Sequence, residues 1–248
     1  MEYSERPVLS GRDLNKTYIS HGRRVMPLQH VDFDLYPGEI LGVVGESGSG
    51  KSTLLKVISG IEKPEGGRLY YKGADYTGSR PEQTGRFLQM VFQDAYGSFD
   101  PRMTMERSLK EGTAESRDEI LRVIGEVGLT EDLLRRRPEH LSGGQCQRMS
   151  IARALLSHAG VLLCDEITSA LDVTTQAQVI RLLLEIRDRE QVSVLLVSHD
   201  LALVSMICDR IMVMKDGIVV EQGKTENVIS DPADSYTRRL LDSIITAG

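Results

Sequence analysis

The 248-residue sequence has no tryptophan, only 5% aromatic residues, and no long apolar run. Its longest apolar stretches, such as Val192-Ser-Val-Leu-Leu-Val197, cover about six residues, far below the roughly 20 needed to cross a bilayer. Cysteine is scarce: Cys146, Cys164 and Cys208 are odd in number, and their spacing fits neither a CxxC metal knuckle nor a paired framework. Reduced thiols in a cytosol are therefore expected. Positive charge is not in excess either, because 30 Lys and Arg against 36 Asp and Glu gives −6. A global basic field for a nucleic-acid backbone is missing, and nucleic acid is not an expected partner. The segment Met1 to Pro7 carries Glu2, Glu5 and Arg6 where a secretory signal needs a basic start and an apolar core. No repeat of 20–50 residues and no low-complexity tract is visible, which excludes solenoids and disordered arms.

What remains is the composition of a water-soluble globule, 40% hydrophobic and 27% charged. Ile40-Leu-Gly-Val-Val44 reads as a buried strand running into a Gly/Ser turn, and Thr53 to Ile58 continues as helix to a stop at Ser59-Gly60. Further strands are expected at Val161–Cys164, Val192–Val197 and Ile211–Met214, with helix over Gln176–Glu190. Strands alternating with helices argue for a covered, mainly parallel sheet. Earlier in the chain, Val8–Tyr18, Val31–Leu35 and Arg68–Lys72 read as strands of antiparallel hairpins. After Gln93 the sequence turns charged and helical, as in Arg117 to Glu126, so a helical subdomain is expected over roughly 95–150.

The sharpest local signal is Gly45-Glu46-Ser47-Gly48-Ser49-Gly50-Lys51-Ser52, which satisfies GxxxxGK[ST] and lies between an expected strand and an expected helix. Glycines let backbone N–H groups wrap phosphates, Lys51 supplies a point charge, and the helix start adds its positive dipole end. The Ser52 hydroxyl is suited to Mg²⁺, and Thr53 continues the binding segment. The fold class that follows is α/β of the P-loop NTPase type, binding a nucleoside triphosphate with Mg²⁺. A second signal is Asp165-Glu166 at the end of an apolar strand, where open α/β sheets bind ligands. Asp165 is suited to the Mg²⁺ shell and Glu166 to polarising an attacking water. The third is Leu141-Ser142-Gly143-Gly144-Gln145, where Ser142 is a plausible helix N-cap and the Gly-Gly start exposes backbone donors to an anion.

Together these residues resemble the ATP-binding cassette (ABC) ATPase family over nearly the whole chain, read as a single domain spanning 1–248. Leu141–Gln145 is identical to the family signature LSGGQ, Asp165-Glu166 look like the Walker B pair, and Ser169-Ala-Leu-Asp172 is similar to the D-loop. Gln93 looks like the Q-loop glutamine, His199 in Ser198-His199-Asp200 like the switch histidine, and Tyr18 lies where the family places an aromatic that stacks on adenine. The resemblance implies a head-to-tail dimer with ATP between one chain's phosphate loop and the other's Ser142 to Gln145 and Asp172. Glu166 would then orient the attacking water, His199 contact the γ-phosphate, and Gln93 reach the metal and report on the γ-phosphate.

Three stretches, Val91 to Thr104, Ser169 to Gln178 and Asp231 to Leu241, look like those of the peptide/nickel importer ATPases. That likeness implies an energy-coupling subunit for peptides, nickel or metal–chelator complexes, peripheral on the cytoplasmic side of the cell membrane. Its implied partners are a second ABC ATPase subunit of the same or a different kind, two transmembrane permeases and, indirectly, an extracytoplasmic binding protein. The implied permease contact falls near Ala95–Met105. The sequence departs from the family in two places. Ile167 stands where many members have Pro, and the cysteine cluster of many peptide-importer members is missing, which leans toward the shorter nickel or metal–chelate members. The alternative reading is a soluble ABC ATPase serving a cytosolic enzyme complex, such as a phosphonate-degradation assembly.

Overall fold

The computed structural model describes residues 6–20, 23–111 and 113–245. The expectation that Met1 to Pro7 is no secretory signal falls mostly outside these residues. The chain opens with a long hairpin, β1 (Leu9–Ser20) and β2 (Arg23–Leu35), paired antiparallel. β1 also pairs with β4 (Gly66–Tyr71), and β4 with the two-residue β5 (Ala74–Asp75), giving a four-stranded sheet in the order β2-β1-β4-β5. β2 begins well before the expected Val31 and carries Pro27 in its interior. It lies at the sheet edge, where a missing N–H costs no ladder bond.

Between these strands the chain makes β3 (Ile40–Val44) and α1 (Lys51–Ile58). A short α2 (Pro81–Thr84) leads to β6 (Leu88–Val91), a strand the sequence reading did not single out. There follow α3 (Met105–Lys110), α4 (Arg117–Glu126), two 3₁₀ turns and α5 (Gly143–Leu155), and only then β7 (Val161–Asp165). The remainder is α6 (Val173–Glu190), β8 (Ser193–Val197), α7 (Leu201–Ile207), β9 (Arg210–Lys215), β10 (Ile218–Lys224), α8 (Thr225–Ser230) and α9 (Ser235–Ile245). The second sheet has the order β10-β9-β3-β8-β7-β6, parallel throughout except at β10.

Alternation along the central strands divides the core in two. Ile40, Val44, Leu162, Cys164, Val194, Leu196, Ile211 and Val213 face one hydrophobic cluster, which they share with α4, α5 and α6. Leu41, Val43, Val161, Leu163, Leu195, Val197, Met212 and Met214 face the other, with α1 and the antiparallel sheet. Burial on both faces explains why these strands read as unbroken apolar runs. The three cysteines are free and buried, and burial first, then the Asp165 charge, pushes the Cys164 thiol up to about 12. Among the described residues no helix is long and apolar enough to cross a membrane.

Candidate active site

Parallel pairing carries the ends of four strands to one edge of the sheet. Val91 is level with Cys164, Asp165 with Val197, and Val43 with Val197. The segments that follow β6, β3, β7 and β8 are therefore neighbours, and they hold Gln93, the 45–52 loop, Glu166 and His199. This edge lies at the strands' carboxyl ends, where open α/β sheets present their ligand site.

The 45–52 loop closes on itself through its lysine. Lys51 is 5% exposed, and its Nζ donates to the carbonyls of Gly45 (2.7 Å) and Glu46 (2.9 Å). Burial pulls the Lys51 ammonium down, while the Glu166 and then the Asp165 carboxylates pull the other way. Gly50 caps α1 with φ +109°, and a Cβ there would lie 2.0 Å from the Pro27 carbonyl oxygen of β2. No other residue fits that close approach. Glu46, Ser47 and Gly48 are exposed, whereas Ser49 is buried. The loop thus turns its outer backbone toward solvent, with a fixed cation beneath it.

The Ser52 hydroxyl donates to Asp165 Oδ1 at 3.3 Å, which sets two hard oxygen donors side by side, a donor set of the kind Mg²⁺ takes. Burial raises the Asp165 pKa; the Ser52 bond lowers it, Glu166 raises it again and Lys51 lowers it. A carboxyl whose pKa is higher folded than unfolded adds stability only when protonated, and loses that contribution as pH rises through the folded value. Asp165→Asn is therefore expected to melt above wild type at pH 8 in the nucleotide-free protein. That gain is expected to shrink as pH falls toward the ordinary carboxyl value of 3.8. Melting curves across this range check the sign.

Glu166 begins the turn after β7 in a left-handed conformation, φ +46°, uncommon for a residue with a side chain and the kind of strain found at functional sites. Bonds on both sides hold it: its N–H donates to the Val197 carbonyl (3.0 Å), and its carbonyl accepts from Ser169 N–H (3.1 Å) and Ser169 Oγ (3.0 Å). Its Oε2 lies 3.4 Å from His199 Nδ1. Gln93 donates from Nε2 to Ser169 Oγ at 3.0 Å, so its amide oxygen is the end left to meet a cation. Ser169 therefore joins Gln93 to the Glu166 backbone, a role the motif match did not reveal. Ile167 is buried in the larger core cluster, so the departure from Pro is accommodated by packing.

The remaining expected residues lie outside this hydrogen-bonded cluster, although Gly143 lines a cavity with Gln93 and the Tyr18 hydroxyl lies beside the Thr53 side chain. Ser142 is the N-cap of α5: its Oγ accepts from Gln145 N–H (3.3 Å), and Gln145 Oε1 accepts from Ser142 N–H (3.0 Å). This is a reciprocal capping box. Gly144 packs against α6, where a Cβ would stand 2.3 Å from Thr175 Cγ2. Thr175 is itself tied by its N–H (3.0 Å) and Oγ1 (2.6 Å) to Asp172, the N-cap of α6. Among the described residues no hydrogen bond or ion pair links 141–145 to 45–52. Tyr18 is half-buried on β1; its hydroxyl donates to Glu62, and burial with that bond pushes it up to about 12. Lys16 Nζ is 3.4 Å from the same carboxylate and 5.4 Å from the Tyr18 ring centre.

The ABC transporter family profile matches residues 28–169, more than half of the chain. The chain belongs to the ABC transporter family. It is an ATPase cassette, and the family binds nucleotide. It is 38% identical to the dipeptide transport ATP-binding protein DppF of Haemophilus influenzae over 96% of this chain and 78% of that one. To the oligopeptide transport ATP-binding protein OppF of Escherichia coli it is 40% identical, over 86% of this chain and 68% of that one. Among solved structures, a dimeric ATP-binding cassette in a post-hydrolysis state with ADP and Pi aligns at TM-score 0.78 and 28% identity, over 88% of this chain and 98% of that one. The P-loop fold expected from the sequence is the fold found.

Proposed function

We propose that this cassette hydrolyses ATP to drive an importer of peptides, as a peripheral subunit on the cytoplasmic side of the membrane. One observation carries the transport reading: the likeness to cassettes named for dipeptide and oligopeptide transport runs through nearly the whole chain, including the stretches outside the catalytic motifs. Those names favour peptides over nickel or metal chelates. In this reading the whole chain is one nucleotide-binding domain, with roughly 95–150 as its helical lobe and Ala95–Met105 facing the permeases. ATP lies on the 45–52 loop and Thr53, with its adenine against Tyr18. Ser52, Asp165 and the Gln93 oxygen would hold Mg²⁺, which would supply positive charge against the phosphates. Glu166 takes the proton of the attacking water, and His199, beside it, donates to the γ-phosphate. Positioning and charge stabilisation are what phosphoryl transfer asks of a protein. Ser142, Gly143, Gly144, Gln145 and Asp172 complete the site of a second ATPase subunit, which is either another copy of this chain or a related one.

The test is gentle extraction of the tagged protein from its native cells, with membrane and soluble fractions kept apart. Two polytopic permeases in the detergent fraction are the expected result, and their extracytoplasmic binding protein would then lead to the substrate. A soluble assembly with metabolic enzymes would overturn the transport reading and leave the ATPase intact.

A further inference from the structure

The phosphate loop has a contact that none of its motifs predicts. Glu46 N–H donates to the hydroxyl of Tyr236, at 3.0 Å and across 190 positions of chain. The same residue's carbonyl accepts from Lys51 Nζ at 2.9 Å. Glu46 is thus held at both ends: by the loop's own lysine on one side and by the first turn of α9 on the other.

Tyr236 is well placed to hold still. It is 3% exposed and packs in the larger core cluster, with Lys215 Nζ 5.2 Å and the Arg239 guanidinium 5.9 Å from its ring centre. The start of α9 is anchored to β10, because the two oxygens of Glu221 accept from Ala233 N–H (2.8 Å) and Asp234 N–H (3.1 Å). Asp234 Oδ1 in turn accepts from Tyr236 N–H at 2.7 Å. Each link is short, so the hydroxyl sits at the end of a stiff chain running from β10 to the loop.

We infer that Tyr236 is a positioning residue for nucleotide binding, fixing the Glu46 peptide so that the N–H groups that follow it face the phosphates. This rests on the reading of 45–52 as the ATP site. It makes α9, which lies far from the motifs in sequence, part of the apparatus that binds the nucleotide. A loop with Glu46 released samples more conformations, and binding must then restrict them again.

The test is Tyr236→Phe, which keeps the buried ring and removes only the hydroxyl. The full chain is assayed with Mg-ATP for KM and kcat, and the ATP dissociation constant is measured alongside. KM and Kd are expected to rise about three- to tenfold, the scale of one net hydrogen bond, with kcat at saturating ATP within about twofold of wild type. General destabilisation would do the reverse, lowering kcat through the active fraction while leaving KM unchanged, and that result overturns the inference. Unchanged KM and Kd with wild type binding ATP normally would overturn it alone. A wild-type chain that bound no ATP would sink the nucleotide site and this inference with it.

Discussion

Replacing Glu166 with Gln is expected to lower steady-state ATP hydrolysis by about 10²- to 10⁴-fold, the usual contribution of a positioned general base. ATP binding should stay within about twofold of wild type. The substitution is clean for a structural reason. Glu166 sits at φ +46° with its N–H on Val197 and its carbonyl on Ser169. Both side chains tolerate that backbone equally, so the turn and the network through Ser169 to Gln93 survive. What disappears is a carboxylate that can accept a proton beside His199. Single-turnover hydrolysis and gel filtration with ATP provide the readouts, and a long-lived ATP-bound dimer is the expected product. Hydrolysis at the wild-type rate would remove Glu166 from the role of base and turn attention to His199 or a backbone-held water.

The parts of this site that could be read from sequence are those made by local chemistry. The 45–52 loop announces itself because its glycines, lysine and serine act within eight consecutive positions, between a buried strand and a helix. Ser142 was legible as a cap because a capping box spans only four residues. Contacts across long separations were not legible. Ser169 lies within a recognised motif, yet its bond to Gln93 spans 76 positions, and nothing near Tyr236 in sequence points to Glu46. The left-handed Glu166 was equally hidden, because that residue type does not ask for such a conformation and only the surrounding bonds impose it. Among the strands, β6 has four residues and β10 is at most half-buried along its length, so neither produced the apolar run that marked β3, β7 and β8. β2 carries Pro27 in its interior, which its edge position permits.

Ser142→Arg is expected to reduce hydrolysis about 10²-fold or more, the scale of losing preorganised anion stabilisation, because its bulk would hold the whole helix start off a partner's ATP, while ATP binding to the isolated chain stays near wild type. Two facts make that separation the informative result. Ser142 is exposed at the start of α5, where free N–H groups and the helix dipole favour an anion. Yet among the described residues no hydrogen bond or ion pair ties 141–145 to the phosphate loop of the same chain. A second anion-binding helix start, outside the chain's own cluster, has a use if it faces the ATP of a partner. Losing the Ser142 cap costs about 1 kcal/mol by itself, so Ser142→Ala serves as the control: it removes the cap without the bulk and charge, and its effect on hydrolysis is expected to be much smaller. Should ATP binding to the lone chain collapse in Ser142→Arg, the signature would be acting within its own chain and the sandwich would be wrong. If the chain pairs with itself, mixing Ser142→Arg with Lys51→Ala would restore hydrolysis. One of the two sites in each mixed dimer would then join an intact loop to an intact signature, whereas neither variant alone can form such a site.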